Sequence, residues 1–185
     1  MHIPQNQRHT LVLWYVLQHS VAAFNKLIDY FKSPEEALLA QQRPIWESLK
    51  LHKNHLARFD AIFTTQGQTD LKRIFSKIEQ YCDAILTPQD SDYPDQLRPF
   101  QDYIPVLFVK GNIQLLNSAQ IAIIGSRKPS PHGQKLAFDF ADYLTQANYV
   151  ITSGLAAGID AAAHQGSMLK GKTIAVIGTG LDQVY

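Results

Sequence analysis

The sequence predicts an α/β protein: a small helical module followed by the first half of a doubly wound parallel sheet. Three observations carry this. Three apolar runs, IAII (121–124), YVIT (149–152) and TIAVI (173–177), alternate with two amphipathic stretches, the β-α-β-α-β order of such a sheet. Each run leads to a glycine, Gly125, Gly154 and Gly178, where a tight βα turn needs one. Upstream, Gly67 is the only glycine before residue 111, in a segment whose apolar residues keep helical spacing.

In chain order, residues 1–82 read as about five short helices. LVLWYVLQHS and VAAFNKLIDYF carry apolar residues at helical spacing, as do HLARFDAIFTT and TDLKRIFSKIEQY. Ser33-Pro34-Glu35-Glu36 reads as a helix start: a serine cap, a proline in the first turn and a glutamate three residues after the cap. Trp14, Trp46 and Cys82 sit among apolar neighbours and are expected in the core.

Residues 83–185 form the second domain. Its first part, up to residue 118, is broken by Pro88, Pro94, Pro99 and Pro105, so it cannot be one helix. AIL (84–86) and VLFVK (106–110) read there as short strands, closed by Gly111-Asn112. From residue 119 the three apolar runs are expected as strands buried on both faces. The helix after the first run starts at Ser130-Pro131 and is expected to bury Leu136, Phe140, Ala141 and Leu144. The second helix, near 157–169, is rich in alanine, which allows close approach to a sheet.

Composition narrows the function. The chain has 185 residues, 45% hydrophobic and 18% charged, within the range of globular proteins. A net charge of +1 provides no global field to recruit nucleic acid, so any anion site must be built locally. One cysteine excludes an internal disulfide and fits a reducing, cytoplasmic compartment. No apolar run approaches the roughly 18 residues of a membrane span, and the N-terminus has no signal core.

In open parallel sheets ligands bind beyond the carboxyl ends of the strands, so the three strand tips are expected to share one crevice. The tips offer Gly125-Ser126-Arg127-Lys128, Ser153-Gly154-Leu155-Ala156-Ala157-Gly158 and Gly178-Thr179-Gly180. Glycines let backbone N–H groups approach a phosphate, serines donate hydroxyl bonds, helix N-termini add partial positive charge, and arginine grips phosphate bidentately. The pattern predicts an anion pocket at Gly125, Ser126, Arg127, Lys128, Ser153, Gly154, Gly158, Gly178 and Gly180. The plainer reading of each glycine is a tight turn. Three in register, with Ser-Arg in the first, favour the pocket.

Asp160, in the first turn of its helix, reads as a structural cap, since a carboxylate facing a phosphate would repel it. His164, four residues later, is expected to hydrogen-bond to Asp160. His52-x-x-His55 lacks a third ligand and reads as surface histidines. The reading assigns no catalytic residue, no metal and no cofactor. An oxidoreductase is disfavoured: G-x-G-x-x-G is absent, and no acidic residue ends the second strand to hold a ribose.

At GSRKPSPHG, SGLAAGIDAAAH and TIAVIGTGLDQVY, preceded by DSDYPDQLRPFQDYIPVLFVKGN, the sequence resembles the DNA-processing protein A family (DprA, also called Smf). The resemblance covers about residues 83–185. It implies an extended Rossmann-like fold and a non-enzymatic cytoplasmic protein. Such a protein binds single-stranded DNA, shields it during natural transformation and helps load the recombinase RecA, usually as a homodimer. By motif position Gly125, Ser126 and Arg127 match the family's DNA-contacting loop, and Ser153, Gly154 and Gly158 its second.

The helical start is similar to the family's variable N-terminal module, related to SAM or helix-hairpin-helix domains. It lacks the glycine pair of a helix-hairpin-helix turn, VAAF standing there, so partner contact or scaffolding is expected of it rather than a grip on DNA. The family's later motifs, its dimer surface and a basic residue expected just beyond Tyr185 are missing, so the sequence reads as a fragment. The alternative function is a nucleotide-binding or nucleotide-hydrolysing enzyme of the related phosphoribohydrolase-like superfamily. Its P-G-G-x-G-T-x-x-E motif is not found in 1–185.

Overall fold

The computed structural model describes residues 3–98 and 104–183; Pro99 and Tyr185 lie outside the described residues. The chain forms two compact units, Met1–Gly111 and Asn112–Tyr185.

The first unit contains α1 (Gln5–Val16), α2 (Val21–Phe31), α3 (Pro34–Ala37), α4 (Arg43–Ser48), α5 (Lys53–Ala61) and α6 (Thr65–Tyr81). These are six helices where the spacing predicts about five; the short α3 and α4 carry too few turns to show a period. Ser33 caps α3, its Oγ accepting the Glu36 N–H at 3.4 Å, with Pro34 in the first turn. Val21–Phe24 forms the first turn of α2, and Ala23 and Phe24 there are buried. The core gathers Leu13, Leu17, Leu27, Trp46 and Phe59. Trp46 is fully buried. Its Nε1–H donates to the Ala37 carbonyl at 2.8 Å, and its ring lies 4.5 Å from that of Phe59. Cys82 is buried and forms no disulfide.

β1 (Ala84–Leu86) and β2 (Leu107–Val109) pair antiparallel, Ile85 opposite Phe108. Ile85 and the adjoining Val106 join the helical core. Burying these side chains draws the strand pair into the first unit, which therefore runs to Gly111 although the sequence texture changes at 82/83.

The second unit is β3 (Gln120–Ala122), α7 (Pro131–Gln146), β4 (Val150–Ser153), α8 (Ile159–Met168) and β5 (Thr173–Ala175). The sheet order is β3-β4-β5, all parallel, with Ile121 opposite Ile151 and Ile151 opposite Thr173. Ser130 caps α7 by accepting the Gly133 N–H at 3.1 Å, and Pro131 opens the helix.

Two expectations about burial are corrected here. Only β4 is deeply buried along its length; Ile124 and Val176, at the ends of the outer runs, are 75% and 64% exposed. The reason is position: β4 has a strand on each side and both helices packed on it, whereas β3 and β5 are edges of this three-stranded unit. The buried stripe of α7 is Ala137, Ala141 and Thr145, with Leu144 partly covered, whereas Leu136 and Phe140 are exposed. Here α8 selects the stripe. A Cβ on Gly166 would lie 2.4 Å from the Phe138 carbonyl oxygen and 3.0 Å from Ala141 Cβ. The two helices approach so closely that only small residues fit between them.

No helix among the described residues is long and apolar enough to cross a membrane.

Candidate functional site

The parallel register brings the carboxyl ends of β3, β4 and β5 to one edge of the sheet. The first two tips are joined by a web of bonds. The Ile159 N–H donates to the Ser126 carbonyl at 3.1 Å, so the loop after β3 rests on the start of α8. Gly158 makes this approach possible. Its φ is +88°, and a Cβ there would stand 2.3 Å from the Ser126 oxygen and 2.9 Å from that of Arg127. Gly125 is confined on one side, since a Cβ there would meet the Ile159 side chain at 2.8 Å.

Asp160 is the centre of this web. Its carboxylate, 6% exposed, accepts the Gly125 N–H at 3.3 Å through Oδ1. Through Oδ2 it accepts the Gly154 N–H at 3.1 Å and the Ala156 N–H at 3.4 Å. The amides of Gly125 and Gly154, which the sequence pattern offers to a phosphate, thus point at the protein's own carboxylate. Ser153 is also turned inward: it is buried, and its Oγ donates to the Ile123 carbonyl at 2.6 Å.

The side chains at the front of the first loop face solvent. Ser126, Arg127 and Lys128 are exposed. The Lys128 N–H donates to Ser126 Oγ at 3.0 Å, which bends the loop. No described residue engages the Arg127 guanidinium or the Lys128 ammonium. Gly178 and Gly180 are exposed at the same edge, and a Cβ on Gly178 would meet nothing within 4 Å. Among the described residues no backbone hydrogen bond ties Gly178, Thr179 or Gly180 to the first two tips.

His164 does not bond to Asp160, contrary to the expectation from their spacing. Its Nδ1 lies 2.6 Å from Thr173 Oγ1, because Asp160 is already turned to the strand-tip amides. Burial lowers the His164 pKa below its ordinary value, opposed by the nearby Asp160 charge. His52 Nδ1 accepts the Asn54 N–H at 3.2 Å and so caps α5. Among the described residues no three His, Cys, Asp or Glu side chains gather closely enough to hold a metal.

A sequence profile of the DNA recombination-mediator protein A family matches residues 84–185. The chain belongs to that family. Within it, the chain is 42% identical over 102 residues to Protein Smf of Escherichia coli, covering 54% of this chain and 27% of that one. It is 46% identical over 97 residues to the DNA processing protein DprA of Streptococcus pneumoniae, covering 52% of this chain and 34% of that one. For the Bacillus subtilis DprA the figures are 38% over 117 residues, 62% and 39%. The chain therefore spans between about a quarter and two fifths of the length of these relatives. The X-ray structure of DNA processing protein A from Streptococcus pneumoniae superposes with a TM-score of 0.74 at 28% identity. That match covers 100% of this chain and 61% of that chain. All three strand tips lie inside the segment that the family profile matches.

Proposed function

We propose that this chain carries the phosphate-reading edge of a single-stranded DNA-binding recombination mediator, with Arg127 and Lys128 as the charges that meet the DNA backbone. The observation that carries the reading is a pair of exposed cations, engaged by none of the described residues, at a loop fixed from behind. A loop bonded to Ile159 through its Ser126 carbonyl holds its place without spending the side chains that face outward. Arg127 supplies a planar fork for phosphate oxygens, and Lys128 a mobile point charge. Ser126 adds a hydroxyl. Gly178 and Gly180 leave the third tip low, so that a polymer can pass over the edge.

In this reading Gly125, Ser153, Gly154 and Gly158 act by letting the loops pack, not by touching DNA. The protein works without catalysis or cofactor, in the cytoplasm. It shields incoming strands during natural transformation and passes them to RecA, and the functional assembly is a homodimer. Membership of the recombination-mediator family and the basic loop both support this. An open edge suits a continuous backbone better than a mononucleotide, which needs enclosing walls.

The experiment is a fluorescence titration of the full chain with labelled oligo-dT, followed by competition. The reading expects saturable binding that excess deoxythymidine monophosphate does not reverse, and no release of free base from a nucleoside monophosphate. Competition by the mononucleotide, or free base, would favour the enzyme alternative.

A further inference from the structure

At the β3 and β4 tips, three backbone N–H groups converge on one buried carboxylate. Gly125, Gly154 and Ala156 all donate to Asp160. Asp160 sits in the first turn of α8, where the helix dipole favours negative charge. In sheets of this kind such amides and such a helix end receive a ligand phosphate. Here they already hold an anion. Space is closed as well: a Cβ on Gly154 would lie 3.0 Å from Asp160 Oδ2, and one on Gly125 would strike Ile159. The three amides already spend their hydrogen bonds on Asp160, so a phosphate would have to displace that carboxylate to reach them.

We infer that Asp160 is a positioning residue that occupies the phosphate place of the sheet, so that a DNA phosphate is met in front of it, by the Ser126, Arg127 and Lys128 side chains. This rests on the reading of the edge as a DNA surface and adds how the ligand class is set. A nucleotide that docks its terminal phosphate on strand-tip amides is excluded, because that site is filled from within. A polymer that lays its backbone across the side chains is accepted. Asp160 acts on DNA only through the loop it fixes.

The test is residue-resolved amide hydrogen exchange on the full chain, free and with oligo-dT. Gly125, Gly154 and Ala156 should be protected in the free protein and gain nothing when DNA or inorganic phosphate is added. Unprotected amides in the free protein, or amides that become protected on adding either ligand, would overturn the assignment. Asp160→Asn keeps one acceptor oxygen and turns a donor toward the other amides. It should weaken oligo-dT binding about tenfold, roughly one charge-assisted hydrogen bond, while leaving the salt dependence of binding unchanged, since no phosphate contact is lost. Wild-type affinity with wild-type exchange in that variant would also overturn it. If the variant does not fold, exchange in the unmodified chain decides alone. If the chain binds no oligo-dT at all, the DNA reading falls, and exchange in the free protein still tests Asp160.

Discussion

Gly158→Ala should destabilise the second unit and loosen the loop that carries Arg127. The Gly158 backbone has φ +88° and ψ −122°, a region nearly closed to residues with a side chain, and forcing one there costs about 1–3 kcal/mol. The added Cβ would also stand 2.3 Å from the Ser126 carbonyl oxygen. That atom is backbone and cannot swing aside, so the loop must retreat and the Ile159–Ser126 bond breaks, a further loss of about 0.5–1.5 kcal/mol. The combined loss is about 1.5–4.5 kcal/mol. Gly178→Ala is the internal control: a Cβ there meets nothing within 4 Å and no positive φ is involved, so the change should stay within about 0.5 kcal/mol. Urea unfolding of both variants and the parent, monitored by circular dichroism, reads the difference. Equal midpoints for Gly158→Ala and the parent would refute the close approach of the two loops.

Gly166→Ala should lower stability by about 1–3 kcal/mol through overpacking between α7 and α8, although alanine is the better helix former by about 1 kcal/mol. The obstructing Phe138 carbonyl is backbone, and a stabilised variant in the same unfolding assay would contradict this packing. Stability should also fall on acidification. Burial lowers the pKa of His164, and burial likewise lowers those of His19 and His55 with help from neighbouring cations. Below about pH 6.5 the unfolded chain binds protons that the folded chain refuses, so the stability present above that pH is progressively lost. A melting temperature that rises between about pH 7 and about pH 5.5 would contradict it.

What was legible in the sequence was local. Ser130-Pro131 and Ser33-Pro34 announce helix starts because the capping partner lies three residues away. The apolar runs announce β3, β4 and β5 as strands, but not that β3 and β5 lie at the edges, which their neighbours in the sheet decide. The buried stripe of α7 was not legible. Two stripes compete at helical spacing, and apolar bulk favours Leu136-Phe140-Leu144. The choice of Ala137-Ala141-Thr145 is made by Gly166 on another helix. The role of Asp160 was half legible: its place in the first turn suggests a cap, but its partner Gly125 lies 35 residues away. The same non-local effect keeps β1 and β2 with the helices, since Ile85 and Val106 are held by side chains far away in sequence.

The central claim, that Arg127 meets a DNA phosphate, is tested most directly by the salt dependence of oligo-dT binding by the full chain and by Arg127→Ala. Each phosphate neutralised on a single strand contributes about −0.7 to the slope of log K against log salt. The account predicts weaker binding by Arg127→Ala and a slope shallower by about 0.7, with an unchanged unfolding midpoint because the side chain engages no described residue. Affinity and slope identical to those of the parent chain would contradict it.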